Sequence, residues 1–194
     1  MDSYMKMMLL KGNSNMVEKM ADAMVDVLEF SNQEVVYPEF TEVKGGDGVE
    51  PEWFYDAYNG VNGFSEMSAI HQYITQQSLF EPVSNVLLGA ALVEMKHLDK
   101  LGDLITRLGG KITSKYDTSK VKYGETPQEA LNLAIKAEED TLKHYRELRQ
   151  KLILINTRTS AVCVQLLSKL ISDEEKHVFL FQRRLERIGS PENG

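Results

Sequence analysis

Two glutamate–histidine pairs in the sequence share the same spacing. Glu94 precedes His97 in "EMKH", and Glu174 precedes His177 in "EEKH". Three residues is close to one helical turn, so the members of each pair lie on one face if the segment is helical. Carboxylates and neutral imidazoles both bind divalent metal ions. The pairs indicate metal chemistry, provided that helices carry them and bring them together.

The residues at helical spacing around each pair are apolar. One such pair alone is typical of an internal hydrogen bond or a half-exposed surface contact. With 19 Glu in 194 residues, however, two pairs on two apolar faces are not expected by chance. Both pairs are therefore predicted to point into a core, together with Leu87, Ala90, Ala91, Leu98, Leu101 and Ile105 on one face and Leu167, Leu170, Ile171, Val178 and Phe181 on the other.

Buried carboxylates need cations, and no lysine or arginine is expected on the apolar stripes beside Glu94 and Glu174. A divalent metal would satisfy both acids and both imidazoles. A site for two metal ions needs more oxygen ligands, and Glu66 and Glu138 lie on apolar faces of two further helical segments. Four carboxylates with two neutral imidazoles carry a charge that two divalent cations would cancel.

Four helical segments are predicted to position these six side chains. The first runs from about residue 51 to 79 and the second from about 82 to 108, before Gly109 and Gly110. The third follows the capping sequence "TPQE" and ends near 155, and the fourth spans about 159 to 188. The stretch "GKITSKYDTSKVKYGE" is long enough to run the length of a bundle, so the fold is predicted to be all-α, with two helical hairpins and one long crossover between helices two and three.

Residues 1–50 are predicted to form a separate N-terminal helical extension, and residues 51–190 the four-helix bundle. Met16, Met20, Met24 and Val27 form an apolar stripe at helical spacing, which is typical of a packing or dimer element. The Gly- and Pro-containing stretch from Tyr37 to Pro51 indicates a linker.

Composition excludes several classes of protein. The net charge of −7 argues against binding to nucleic acid. A single cysteine, Cys163, excludes an internal disulfide framework, and it is predicted to be a small buried side chain. No segment suits an export signal or a membrane span, so a cytoplasmic protein without membrane contact is expected.

Over about residues 52 to 188 the sequence resembles the ferritin-like superfamily, most closely bacterioferritin, with rubrerythrin and manganese catalase as more distant relatives. The resemblance rests on "EMSAIHQY", "EMKH", "YGETPQEAL", "AEEDTLKHYRE" and "SDEEKH". It implies a ferritin-like four-helix bundle and a dinuclear metal site, with a catalytic role for Tyr73 as a source of an electron or a hydrogen bond. One metal would be held by Glu66 and His97, the other by Glu138 and His177, with Glu94 and Glu174 as bridges.

The sequence also departs from these families. Ile135 and Thr141 stand where rubrerythrin would place a second acid, and C-x-x-C pairs are absent, so a rubrerythrin-type peroxidase is disfavoured. Bacterioferritin continues into a fifth helix, whereas 17 residues follow His177 here, so a homodimer or small homo-oligomer is expected rather than a 24-subunit shell. Met95 matches the position of a haem-ligating methionine, although packing is the more common role of such a residue.

The leading functional hypothesis is a protein with two Fe ions that oxidises Fe(II) with O₂ or H₂O₂. The first alternative is a site with two Mn ions that dismutes hydrogen peroxide. The second is a non-catalytic, metal-stabilised bundle that acts as a structural or partner-binding protein.

Overall fold

The computed structural model describes residues 29–60, 65–113 and 116–189, which form helices and no strands. The prediction of an all-α fold is confirmed. The amphipathic helix predicted between Met16 and Val27 lies outside the described residues. In the described part of the chain, no helix combines the length and the apolar character that a membrane span requires. The α-helices are α1 (Tyr55–Asn59), α2 (Glu66–Leu79), α3 (Ser84–Arg107), α4 (Pro127–Ile155) and α5 (Arg158–Gly189), with 3-10 turns at Pro51–Phe54, Glu81–Val83 and Thr118–Lys120.

Helices α2 to α5 form the predicted pair of hairpins. Helix α2 packs along α3, and α4 packs along α5. The second hairpin turns at Asn156, which has a φ of 55° and ends α4 in the left-handed conformation that asparagine tolerates. Residues 108–126 connect α3 to α4, as expected for the long crossover.

The first bundle helix begins later than the sequence predicts. A single helix from about residue 51 was expected, but α1 ends at Gly60, whose backbone is extended. Helix α2 then begins at Glu66, after Ser65, whose hydroxyl accepts a hydrogen bond from the backbone N–H of Ser68. The prediction of one continuous helix is wrong because Gly60 leaves the helical conformation. Glu66 therefore lies in the first turn of a newly capped helix.

The core consists of two apolar layers with a polar level between them. Along α3, Leu87 and Ala90 belong to the first layer, and Leu101 and Leu104 belong to the second. Glu94 and His97 fall between these two sets. Each large apolar side chain buried in the layers stabilises the fold by about 1.5–3 kcal/mol, which offsets the cost of burying the polar level. Cys163 is buried in the second layer, as predicted, and burial raises the pKa of its thiol to about 12.

The N-terminal segment, defined here as residues 30–49, lies along the seam between α3 and α5. Its apolar members Phe30 and Phe40 belong to the first and second core layers respectively. The guanidinium of Arg107 on α3 donates to the carbonyl of Phe40, and the backbone N–H of Lys44 donates to Thr159 on α5 at 3.3 Å. The segment thus seals one side of the bundle at the level of the Glu–His pairs.

The crossover seals the opposite seam, between α2 and α4. The side chain of Gln72 donates to the carbonyl of Lys122 at 2.7 Å. The backbone N–H of Gly124 donates to the side-chain oxygen of Gln76, also at 2.7 Å. Both glutamines are buried, and each bond pairs one atom of the side-chain amide, Nε2 of Gln72 and Oε1 of Gln76.

Candidate metal centre

Six acidic and imidazole side chains meet at the polar level of the bundle. Each of the four long helices contributes through its core-facing stripe, with one acid from α2, one from α4 and a Glu-x-x-His pair from each of α3 and α5. All are buried, and the most exposed of them show 2% of their surface. They are the six residues that sequence spacing singles out: Glu66, Glu94, His97, Glu138, Glu174 and His177.

Two of the carboxylates lie between the two histidines. Glu94 places Oε2 at 2.8 Å from Nδ1 of His97 and Oε1 at 2.8 Å from Nδ1 of His177. Glu174 does the same with Oε1 at 3.2 Å and Oε2 at 2.9 Å from these two nitrogens. Each carboxylate therefore presents one oxygen to each half of the site, which is the arrangement of a bridging ligand.

The other two carboxylates each lie beside one histidine. Glu66 Oε2 is 3.6 Å from Nδ1 of His97, and Glu138 Oε1 is 3.4 Å from Nδ1 of His177. The cluster thus divides into two groups of four residues. Within each group, the four ligand atoms all lie within 4.8 Å of one another. We call them the His97 half (Glu66, Glu94, His97, Glu174) and the His177 half (Glu94, Glu138, Glu174, His177).

Several of these atoms have no hydrogen-bond partner in spite of the short distances. They are Glu94 Oε1, both oxygens of Glu174, and Nδ1 of His177. Buried polar atoms are almost always paired, and unpaired ones indicate a missing ion or water. Four carboxylates and two imidazoles with unpaired atoms in a closed interior are better suited to bind divalent cations than to hydrogen-bond with one another.

Comparisons with known proteins agree with this arrangement. The family described as "Ferritin-like domain" matches residues 65–189, which span α2 to α5. This chain belongs to the ferritin-like family. Its curated relatives include bacterioferritins of Brucella melitensis biotype 1, 27% identical over 130 residues (64% of this chain, 78% of that protein), and Mycobacterium bovis, 24% identical over 127 residues (63% and 77%).

A solved structure supports the same assignment. The bacterioferritin of Rhodobacter capsulatus, described with a metal-free dinuclear site and a heme iron, superimposes with a TM-score of 0.64 at 28% identity. The match covers 78% of this chain and 99% of that one. The predicted resemblance to the ferritin-like family, and to bacterioferritin in particular, is confirmed. The N-terminal segment lies before the residues that match the ferritin-like domain.

Burial and the neighbouring charges shift the pKa values of three acids in the ferritin-like site. Burial raises the pKa of Glu94 well above its usual range, and the charge of Glu174 adds to the shift. The same two causes raise the pKa of Glu138 to about 7. Burial also acts to raise the pKa of Glu174, but the two imidazoles outweigh it and hold that pKa below its usual range. Without metal, burial and the charge of Glu174 therefore oppose ionisation of Glu94 and Glu138 at neutral pH.

The pKa values of both imidazoles are raised, which favours a positive charge beside the acids. Burial acts to lower the pKa of both histidines, but the neighbouring carboxylates outweigh it. Glu174 has the largest opposing effect on His97, and Glu94 on His177, so both pKa values lie well above the usual range. Protons on the two imidazoles would thus offset two of the four carboxylate charges when metal is absent. Metal must displace these protons to reach Nδ1, so binding is expected to release protons.

Two tyrosines hold the acids that belong to one half only. The hydroxyl of Tyr73 donates to Glu138 Oε1 at 2.5 Å, and the hydroxyl of Tyr145 donates to Glu66 Oε1. Each tyrosine follows the glutamate of its own helix by seven residues but contacts the glutamate of the other helix. Tyr73 was predicted beside the site. The equivalent contact of Tyr145 was not predicted, although the repeated seven-residue spacing could have indicated it.

An ion pair behind His97 was also missed by the sequence analysis. Asp173 Oδ2 lies 3.1 Å from Nε2 of His97, and Asp173 Oδ1 accepts a hydrogen bond from Nζ of Lys169 at 2.8 Å. Lys169 is only 2% exposed, so the expectation that the buried stripes carry no lysine is wrong. Burial acts to raise the pKa of Asp173, but its bonds to His97 and Lys169 outweigh burial and lower it.

Met95 and the other two histidines lie away from the cluster. Met95, for which packing was the favoured role, is 42% exposed on the outer surface of α3. His71 is exposed and accepts or donates a hydrogen bond at the hydroxyl of Tyr123, and His144 is partly buried outside both halves of the site.

Proposed function

We propose that this ferritin-like chain binds two iron ions and oxidises Fe(II) with O₂ or H₂O₂. The observation that carries the proposal is the placement of Glu94 and Glu174, each with one oxygen toward His97 and the other toward His177. Carboxylates shared in this way hold two cations close enough to act on one oxidant molecule. The relationship to bacterioferritins, one of them described with a dinuclear site, supports the same function.

The proposed ligands are the six side chains of the two halves. Glu66 and His97 would hold one ion, Glu138 and His177 the other, and Glu94 and Glu174 would bridge them. Two Fe(II) substrate ions are oxidised to Fe(III) and supply two electrons. With two protons, these electrons reduce O₂ to H₂O₂ or reduce H₂O₂ to two waters. The oxygen and imidazole donors suit iron, and they also suit manganese.

The protein's own contribution is to orient the acids and to exclude water. The side chains of Glu94, Glu174 and the two histidines have no exposed surface. Charges within the cluster are therefore poorly screened by water. Tyr73 and Tyr145 are buried, and burial raises the pKa of both hydroxyls well above the usual range. Both therefore stay protonated and act as donors that turn Glu138 and Glu66 toward their respective halves. We retain electron supply by Tyr73 as a proposal.

We also propose that the chain forms a homodimer or a small homo-oligomer. Leu92 and Met95 are exposed apolar side chains about one helical turn apart on the outer face of α3, and together they offer an apolar contact to a second subunit. Light scattering of the purified protein would measure the mass. A monomer at micromolar concentration would contradict this proposal.

The function is tested by metal analysis and turnover on the same samples. After reconstitution with Fe(II) and removal of loose metal, we expect about two iron ions per chain and O₂ or peroxide consumption that depends on added Fe(II). Glu94→Ala should abolish both. Glu139→Ala is the matched control, because Glu139 is an exposed acid in the same bundle.

Two outcomes favour the alternatives. Oxygen release from peroxide by the Mn-loaded but not the Fe-loaded protein supports peroxide dismutation. Tight metal binding without Fe(II) oxidation or peroxide turnover supports a metal-stabilised structural bundle.

A further inference from the structure

The carboxylate of Asp173 orients one of the two histidines. His97 presents Nδ1 to Glu94 at 2.8 Å and Nε2 to Asp173 at 3.1 Å. Because an ionised carboxylate only accepts hydrogen bonds, Nε2 carries the proton in a neutral His97 and donates it to Asp173. The lone pair of Nδ1 then faces the acids. Any group that fixes Asp173 therefore also fixes a donor atom of the metal centre.

The N-terminal segment supplies most of the groups that fix Asp173. The backbone N–H of Asn32 donates to Oδ1 at 2.6 Å, and the hydroxyl of Tyr37 lies 3.4 Å from Oδ2. Lys169 completes the set from α5 with its bond to Oδ1 at 2.8 Å. Two of these three donors come from residues that precede the part of the chain matching the ferritin-like domain.

Lys169 in turn depends on the same segment. Its ammonium donates to Ser31 Oγ at 2.9 Å, to the carbonyl of Asn32 at 2.7 Å and to Asp173 at 2.8 Å. An ammonium has three N–H groups, and these contacts use all three. Lys169 is nearly fully buried, so without the segment it would lose two partners in a place where water does not replace them.

We propose that residues 31–37, acting through Lys169 and Asp173, are an outer layer of the metal centre that sets the metal affinity of the His97 half selectively. The inference rests on the proposed function, since it assigns positioning residues to the same site. Nε2 of His177 has no hydrogen-bond partner among the described residues, and Phe30 reaches that ring through an aromatic contact only, so residues 31–37 have no polar equivalent there. Ser31, Asn32 and Lys169 are positioning residues, because they touch neither the six ligands nor the space between them.

The coupling between segment and metal is reciprocal. If a docked segment strengthens metal binding in the His97 half, metal in that half must stabilise the docked segment by the same factor. The backbone N–H of Asn32 reports on docking directly, because its partner is Asp173. We expect hydrogen exchange at this amide to slow when metal binds.

The test compares Lys169→Met with Lys176→Met in the full-length protein, with Co(II) as the probe. Both lysines hold Ser31 from α5, but only Lys169 contacts Asp173. Anomalous scattering from crystals soaked in limiting Co(II) measures the occupancy of each half separately. Lys169→Met should weaken Co(II) binding in the His97 half by about 10- to 100-fold and leave the His177 half as in wild type. Lys176→Met removes one bond to Ser31 but leaves Lys169 and Asp173 in place, so it should weaken the His97 half far less than Lys169→Met and leave the His177 half as in wild type.

The possible results separate the inference from the function on which it rests. Unchanged occupancy in Lys169→Met, or equal loss in both halves, overturns the inference alone. A wild-type protein that binds no Co(II) overturns the proposed function and the inference with it.

A second variant keeps the inference open to test if Lys169→Met does not fold. Lys169→Met combined with Asp173→Asn removes both buried charges and keeps an amide oxygen facing His97. The same selective loss is expected, together with metal-independent exchange at the Asn32 amide. Exchange that still slows with Co(II) in this variant, or binding equal to wild type, contradicts the proposal.

Discussion

His97 and His177 occupy equivalent places in the two Glu-x-x-His pairs, yet the groups behind their rings differ. Nε2 of His97 faces Asp173, which is held by Lys169. The ring of His177 lies against two phenylalanines instead, with centroid distances of 5.7 Å to Phe30 and 6.3 Å to Phe181. The ligands repeat between the two hairpins, whereas the support behind them does not. Two halves with the same donor atoms can therefore differ in how rigidly the histidine of each half is held.

The largest expected effect is common to both halves and comes from the shared acids. Glu174→Ala removes an oxygen from each half and should weaken metal binding at both positions by more than ~100-fold, which exceeds the effect of losing an outer partner. Metal content after gel filtration measures this. Glu175→Ala is the control, since Glu175 is an exposed neighbour that pairs with Arg146. Retention of one metal by Glu174→Ala would show that the acid is not shared.

The acids that belong to one half should separate the two positions. Glu66→Ala is expected to empty the His97 half and Glu138→Ala the His177 half, because each acid lies near one histidine only. Each variant should keep about one Co(II) per chain, with the partner half weakened by no more than about 10-fold. Visible absorption during a Co(II) titration would measure both values. Loss of both ions from either variant would contradict the division into halves.

Metal removal should make stability depend on pH, since the raised pKa values lie in both halves. An acid whose pKa is raised in the folded state stabilises the fold fully below its unfolded pKa and loses that contribution as pH rises through the folded value. Glu138, raised from 4.5 to about 7, gives about 3 kcal/mol in this window. Glu138 alone should therefore make the metal-free protein lose stability as pH rises from about 4.5 through 7. The raised histidines have the same sign, but their contribution is complete below 6.5 and is lost only at higher pH, as each imidazole loses its proton.

Denaturant unfolding with and without bound Fe or Mn, across this pH range, measures the effect. The lowered pKa values of Asp173 and Glu174 have the opposite sign, and their contributions are lost only as the solution becomes more acidic. The metal-bound protein should gain stability relative to the metal-free one as pH rises. A metal-free protein whose stability stays constant from pH 5 to 8 would contradict the assigned charges.

The smallest effects are expected from the tyrosines. Tyr73→Phe and Tyr145→Phe each remove one hydrogen bond to a buried carboxylate, which contributes about 1.5–3 kcal/mol. Tyr73→Phe should weaken binding of the ion beside Glu138, and Tyr145→Phe that of the ion beside Glu66, but neither variant should lose its ion. Calorimetric titration would resolve the two steps. If Tyr73 also supplies an electron, Tyr73→Phe alone should slow single-turnover Fe(II) oxidation, and Tyr145→Phe serves as its control.

Much of the fold and the composition of the candidate site followed from spacing alone. A three-residue step between Glu94 and His97, on an apolar stripe, determines that both face the core once α3 forms. The same reasoning places Glu174 and His177, and charge balance led to Glu66 and Glu138. These inferences work because helix periodicity is local. That the six side chains bind metal stays a prediction.

The support behind His97 could not be predicted in the same way. Lys169 and Asp173 are four residues apart, a spacing typical of an exposed ion pair on a helix. Only their contacts with Ser31 and Asn32 show that they are buried, and those contacts join residues far apart in sequence. The stretch from Tyr37 to Pro51 indicated a linker from its composition, yet Phe40, Val43 and Val49 are buried in the core. Glycine-rich sequence predicts irregular backbone, but it does not predict where that backbone docks.

The hydrogen bond between Asn32 and Asp173 spans 141 residues, which sets an order of events during synthesis. At a translation rate of about 5–20 residues per second, Asn32 is made roughly 7 to 28 s before its acceptor exists. The stretch that covers the His97 side leaves the ribosome first, but it can dock only after α5 has emerged. Until then that flank of the nascent bundle stands open to the surrounding solution.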